Sequence, residues 1–110
     1  MASSTDRTVR EILLELRRQL EQLYGSRLRR LVLYGSQARG SATADSDIDV
    51  LVVLKGPVEP AVEVHRTSHI VSQLSLEHDV VIVCVFVDEY DLENEQSMFM
   101  ANIRREGIVA

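Results

Sequence analysis

The sequence is poor in several things that would each point to a protein class. It has one cysteine, Cys84, which excludes an intramolecular disulfide framework and fits a reducing compartment, the cytoplasm in our reading. It has no apolar run near the roughly 20 residues needed to span a bilayer, so no membrane association is expected. Its first residues, MASSTDRTVR, lack the apolar segment of a secretory signal. There is no tryptophan, and Tyr24, Tyr34 and Tyr90 form no stacking platform for single-stranded nucleic acid. Basic residues are also too few for independent nucleic-acid binding. The formal net charge is −5, the basic residues concentrate in the first 40 positions, and acids dominate from Glu77 onward. That balance leaves room for a nucleotide, whose phosphates need only metal ions and a few side chains. Internal repeats and low-complexity segments are absent too.

What is present suits one compact domain over residues 1–110, with 45% hydrophobic residues to build a core. Val9, Ile12, Leu13, Leu16, Leu20 and Leu23 recur at helical spacing, with Thr8–Glu11 or Asp6 as the cap and Gly25 as the stop. Leu28 to Tyr34 reads as a buried strand closed by Gly35, and residues 35–45 as a loop or short helical turn. Asp47 to Leu54 is a second strand, stopped by Lys55-Gly56-Pro57. Residues 59–77 read as a helix with Val62, Ile70, Val71 and Leu74 on its apolar stripe. Asp79 to Val87 then reads as the third strand, and a helix from Asp91 to Arg105 closes the chain. The expected fold is α/β (α+β), a small mixed sheet flanked by helices. In it a short link makes the first two strands antiparallel, and a right-handed crossover makes the second and third parallel.

Asp47 and Asp49 lie two apart on a strand, so both carboxylates leave the same face. Their repulsion and desolvation raise the pKa of at least one unless a cation lies between them. Alone, such a pair is equally consistent with two solvated acids at a strand start. Three neighbours change the reading. Gly35-Ser36 ends the antiparallel strand next to Asp47, where a glycine lets the backbone approach a phosphate and the Ser36 hydroxyl can donate to it. Arg39 follows within one turn. Asp79 opens the third strand at the same sheet edge, whereas Asp88 and Glu89 lie at its far end, roughly 30 Å away at ~3.3 Å per residue. Three hard oxygen ligands beside a phosphate-binding turn suit two Mg²⁺ ions, with Mn²⁺ as a substitute, held by Asp47 and Asp49. Asp79 would complete the site that binds the attacking group and accept its proton.

The stretch LYGSQARGSATADSDIDVLV, in which Gly-Ser is followed after ten residues by Asp-x-Asp, resembles the signature of the DNA polymerase β-like nucleotidyltransferase superfamily. With HDVVIV and NIRREGIV it is most similar to the minimal nucleotidyltransferases, and the resemblance covers nearly the whole chain. It implies transfer of AMP from ATP to an acceptor hydroxyl, with the protein acting as an antitoxin that adenylylates (AMPylates) a tyrosine on a helical HEPN-domain toxin. It also implies Gly35, Ser36 and Arg39 as nucleotide-binding residues and Asp47, Asp49 and Asp79 as catalytic metal ligands. Larger relatives carry a second domain for the acceptor. The short chain therefore points to a macromolecular partner, or to a hetero-oligomer that completes the pocket. A non-catalytic antitoxin that masks its partner is the alternative, as is an enzyme acting on a small molecule or an RNA end.

The remaining residues take plainer readings. His65 and His69 have no third ligand, His78 marks a loop end, and Cys84 reads as a small buried hydrophobe. The acids from Asp88 to Glu95 read as a solvated helix start. Met98, Phe99, Met100 and Ile103 read as core, with an extension into a partner interface as the alternative.

Overall fold

The computed structural model describes residues 4–40 and 47–110, with side chains from Thr8 onward. The elements are α1 (Ser4–Tyr24), β1 (Leu28–Tyr34), α2 (Gly35–Arg39), β2 (Ile48–Leu54), α3 (Pro60–His78), β3 (Ile82–Asp88), α4 (Glu89–Asn94), α5 (Met98–Glu106) and β4 (Ile108–Val109). The sheet is mixed, in the order β3-β2-β1-β4. β1 is antiparallel to β2 and to β4, and β2 is parallel to β3.

Strand parity divides the core into two layers. Leu31, Leu33, Val50, Val52, Leu54, Ile82 and Phe86 pack toward α1 and α3 with Ile12, Leu16, Leu20, Ile70 and Leu74. Val32, Leu51 and Val53 face the other way, toward Leu92, Met100 and Ile103 of α4 and α5. β2 is covered on both faces, which is why its sequence is apolar without alternation. Asp49 shares parity with Leu51 and Val53, so it belongs to the α5 face.

Several boundaries differ from the sequence reading. α1 begins at Ser4, so Thr8 lies inside it rather than capping it. The side chain of Asp6, the alternative cap, falls outside the described residues, as do loop positions 41–45. Leu23 and Val62 are exposed rather than core. The closing helix is two helices, because Ser97 caps a second one by accepting from the Met100 N–H and Asp88 caps the first by accepting from Tyr90. Of the apolar residues assigned to its core, Met100 and Ile103 are buried, whereas Met98 and Phe99 are exposed. A fourth strand, which periodicity cannot reveal in two residues, pairs Ile108 and Val109 with Leu33 and Val32.

The most consequential correction concerns Asp79. It does not open β3, which starts three residues later at Ile82. Asp79 is instead the left-handed C-cap of α3, at φ 51°, with its N–H donated to the Ser75 carbonyl. The chain must turn sharply out of a 19-residue helix before it enters the sheet, and Asp tolerates the left-handed conformation better than most residues. The residue expected to open the third strand thus forms a helix cap instead, and Ile82 is the first residue of β3.

A second polar feature was invisible in the pattern. Glu63 of α3 is 3% exposed. It accepts from the Tyr24 hydroxyl at 2.8 Å and is paired with Arg27 at 3.5 Å and Arg66 at 3.3 Å. Arg27 also donates to the carbonyls of Lys55 and Pro57. The cluster ties the end of α1, the exit from β2 and the start of α3 together, at the end of the sheet opposite Asp47.

Candidate active site

The site lies where β1 ends and β2 begins. The antiparallel register sets Tyr34 opposite Asp49, which brings the following residue, Gly35, onto the Asp49 side chain. Gly35 has φ 72°, and a Cβ built there would sit 2.5 Å from Asp49 Oδ2. Only glycine supplies both the conformation and the space. From Gly35 the chain winds into the single turn of α2, which carries Ser36 and Arg39 and ends at Gly40, φ 74°.

Asp47 and Asp49 share a face, and the electrostatics register their proximity. Burial first, and then the charge of Asp47, holds the Asp49 carboxyl above the usual carboxylate range, while Arg39 pulls it back. Asp47, Asp49 and Arg39 are therefore one electrostatic group, as the sequence spacing requires. Burial, followed by the neighbouring Asp49, also raises the Tyr34 phenol. On the opposite face burial pushes the Cys84 thiol up to about 12, so this free cysteine is a protonated, half-buried side chain rather than a nucleophile.

Parallel register places Val83 beside Asp49 and Ile82 beside Ile48, while the Ile48 N–H donates to the Val81 carbonyl. The β3 position that faces the acid pair is thus a valine, 38% exposed, and Asp79 stands four residues before it. Among the described residues no three His, Cys, Asp or Glu side chains converge as a metal cluster. The donor set of the pair itself, two carboxylates on one strand face with Asp49 raised by burial and then by the charge of Asp47, fits a hard divalent cation that would relieve the repulsion.

α5 forms the wall opposite the Gly-Ser turn. Phe99 meets Tyr34 edge to face, with ring centroids 5.6 Å apart. Arg39 Nη1 lies 4.0 Å from Glu106 Oε2. Between them is a cavity of about 240 Å³, lined by Tyr34, Arg39, Phe99, Asn102 and Glu106 among others. The sequence reading missed this wall. Its signal was the 99, 102, 103, 106 spacing, one helix face on which polar residues alternate with apolar ones.

A mixed sheet that sets an acid pair against a glycine–serine turn defines a nucleotide-handling transferase fold. The comparisons make the class specific: the chain belongs to the nucleotidyltransferase domain family, whose model matches residues 13–104. Two proteins of Methanocaldococcus jannaschii, each named "Putative protein adenylyltransferase", are similar in sequence. One is 33% identical over 72 residues, covering 66% of this chain and 72% of its own. The other is 33% identical over 92 residues, covering 82% and 85%. Among solved structures, a "putative nucleotidyltransferase" of Sulfolobus solfataricus superposes with a TM-score of 0.57 at 22% identity, over 99% of this chain and 87% of that one. A toxin-antitoxin crystal structure with AMP-PNP gives a TM-score of 0.59 at 17% identity, over 86% and 68%. At those identities the structural likeness speaks for the fold. Among the described residues no helix is long and apolar enough to cross a membrane.

Proposed function

We propose that this nucleotidyltransferase transfers AMP from ATP to a hydroxyl of a partner protein, with a tyrosine of a helical HEPN-domain toxin as the acceptor, and so acts as an antitoxin in the cytoplasm. The observation that carries the proposal is the contact of Gly35 with Asp49, which sets a phosphate-binding turn directly against an acid pair. The names of the Methanocaldococcus jannaschii relatives and the toxin-antitoxin neighbour support the acceptor class.

In the reaction the acceptor oxygen forms a bond to the α-phosphorus, the bond to the β-phosphate bridging oxygen breaks, and pyrophosphate leaves. The hydroxyl proton passes to a carboxylate or to solvent. Gly35 lets the triphosphate approach the backbone, the Ser36 hydroxyl donates to it, and Arg39 neutralises charge on it. Asp47 and Asp49 would hold Mg²⁺, or Mn²⁺ in its place. When bound, the ions supply charge neutralisation on the leaving group and a more acidic acceptor hydroxyl. Asp79 is assigned the role of third acid at the same sheet edge. Its position on a cap, rather than on β3, makes it the member of the set most in need of a test.

That same position favours one rival. With Val83 facing the pair, a module that silences its partner by masking would need no third carboxylate. The test is Asp47→Ala with Asp49→Ala, assayed in two ways. Incubation with ATP, Mg²⁺ and the partner, read by intact mass, should show AMP added by the parent and none by the double variant. If the double variant still neutralises the partner as well as the parent does, masking is sufficient and the transfer reading of its role is lost.

A further inference from the structure

Nothing in the acid pair or the Gly-Ser turn names a base, because those groups meet phosphates. The base must be read elsewhere, and α5 carries residues that folding does not account for. Met100 and Ile103 fill its core positions, while Phe99 is 42% exposed and meets Tyr34, the residue paired across the strands with Asp49. An aromatic ring at a site mouth is a stacking surface. The cavity it borders, about 240 Å³, falls below the ~300–1,000 Å³ of pockets that take whole drug-sized ligands and suits one planar ring system.

The polar wall has a definite sense. Arg105 donates from a guanidinium nitrogen to Asn102 Oδ1 at 2.7 Å. A guanidinium only donates, so the amide oxygen is fixed on that side and the amide NH₂ is left as the donor. Glu106 follows four residues on, on the same helix face, as an acceptor. Arg39 at 4.0 Å and Arg105 at 3.7 Å hold it in place, and a carboxylate keeps spare lone pairs beside two such partners. A donor beside an acceptor complements a base edge with a ring nitrogen acceptor next to an exocyclic amine. Adenine and cytosine have that edge. Guanine and uracil present a carbonyl acceptor and a ring N–H and would meet the same pair with the two contacts exchanged. The choice of adenine follows the adenylyl transfer proposed above, and it sets Glu106 at the exocyclic amine and Asn102 at the ring nitrogen. Of the first two, adenine offers the larger face to Phe99.

We propose that this cavity between β1 and α5 is the base subsite, in which Phe99 stacks and Asn102 with Glu106 selects adenine by its 6-amino edge. The proposal rests on the nucleotidyl-transfer reading of the adjacent acids and adds to it the residues that choose the nucleotide. The Arg39–Glu106 contact links the two halves, because one arginine borders both the phosphate turn and the base wall.

The experiment compares ATP with inosine triphosphate, which differs only in carrying a carbonyl and a ring N–H where ATP has the amine and the ring acceptor. Equilibrium binding with Mg²⁺ and transfer to the partner are both measured for the parent, Phe99→Ala and Asn102→Ala, each first checked for a native melting profile. The parent should favour ATP by roughly tenfold or more. Asn102→Ala should bring that ratio close to one. Phe99→Ala should weaken both nucleotides by roughly tenfold and keep the ratio. If the parent binds and transfers but the variants keep its affinity and ratio, the subsite is elsewhere. A rise in the acceptor's KM alone would assign the cavity to the acceptor and overturn the proposal. If the parent neither binds nor transfers any nucleotide, the functional reading itself fails and the base assignment goes with it.

Discussion

Replacing Gly35 with alanine tests the geometry of the site more sharply than removing a carboxylate, because no chemical group is lost. Two effects are expected. The left-handed φ of 72° costs an L-residue roughly 1–2 kcal/mol, which lowers Tm by about 4–8 °C per kcal/mol in a domain near this size. The added methyl would also lie 2.5 Å from Asp49 Oδ2, where ordinary contact begins at 3.4 Å, so the carboxylate must retreat by about 0.9 Å. It is the far end of a flexible side chain, so the retreat itself costs little stability. It displaces a group whose position matters, and a misplacement of about 1 Å can lower a rate by about 100-fold. The expected variant is therefore folded, modestly less stable and nearly inactive. Thermal unfolding by circular dichroism measures the first effect, and AMP transfer by intact mass at saturating ATP measures the second. A variant that melts like the parent and transfers AMP at the parent's rate would refute the reasoning, since neither the strain nor the contact would then exist.

Three further outcomes follow from other groups. Tyr24→Phe removes a buried hydrogen bond to the Glu63 carboxylate at 2.8 Å and should cost about 1.5–3 kcal/mol in urea unfolding, with transfer activity retained because the cluster lies at the far end of the sheet. Asp49→Asn should abolish most transfer, by more than the roughly 10–100-fold that loss of a metal ligand's supporting partner costs, and yet raise stability at neutral pH. The sign follows from the raised carboxyl. The fold binds the Asp49 proton more tightly than the unfolded chain does, so the native state loses stability as pH rises from the unfolded value near 3.9 through the raised folded one, and the loss persists above it. The gap between variant and parent in urea midpoint should therefore widen from pH 4 to pH 7, and Mg²⁺ should narrow it. Asp79 is tested by a pair of substitutions. Asp79→Gly, which relieves the left-handed cap at φ 51°, should be at least as stable as the parent, and both it and Asp79→Asn should lose transfer if the carboxylate serves the reaction. Full activity in both would confine Asp79 to the turn.

The local pattern was legible wherever one residue type had one physical reason to be there. The stripe of α1, the buried strands β1 and β2, the antiparallel link and the parallel crossover all followed from apolar spacing and connection length. The pairing of Gly35 with the Asp47–Asp49 strand followed too, because an antiparallel neighbour leaves the end of one strand beside the start of the next. The placement of Asp79 at the opening of β3 differed for an identifiable reason. The chain needs a left-handed cap at Asp79 to leave α3, so the strand begins three residues later, and an apolar run does not mark where its pairing starts. The split between α4 and α5 failed because Ser97 reads as an ordinary helix residue until its hydroxyl is seen to accept from Met100.

What the sequence determined alone was therefore the fold class, the acid pair and the Gly35-Ser36 turn beside it, features set by spacing and connection length. What only the tertiary structure decided were contacts between residues far apart in the chain. Glu63 is buried because Tyr24 and Arg27, some 40 residues before it, meet its charge. Likewise Phe99, Asn102 and Glu106 reach the site because α5 packs on the same face of the sheet as Asp49. Periodicity along one segment records which face is buried, but not what that face will be buried against, and that choice is made by packing.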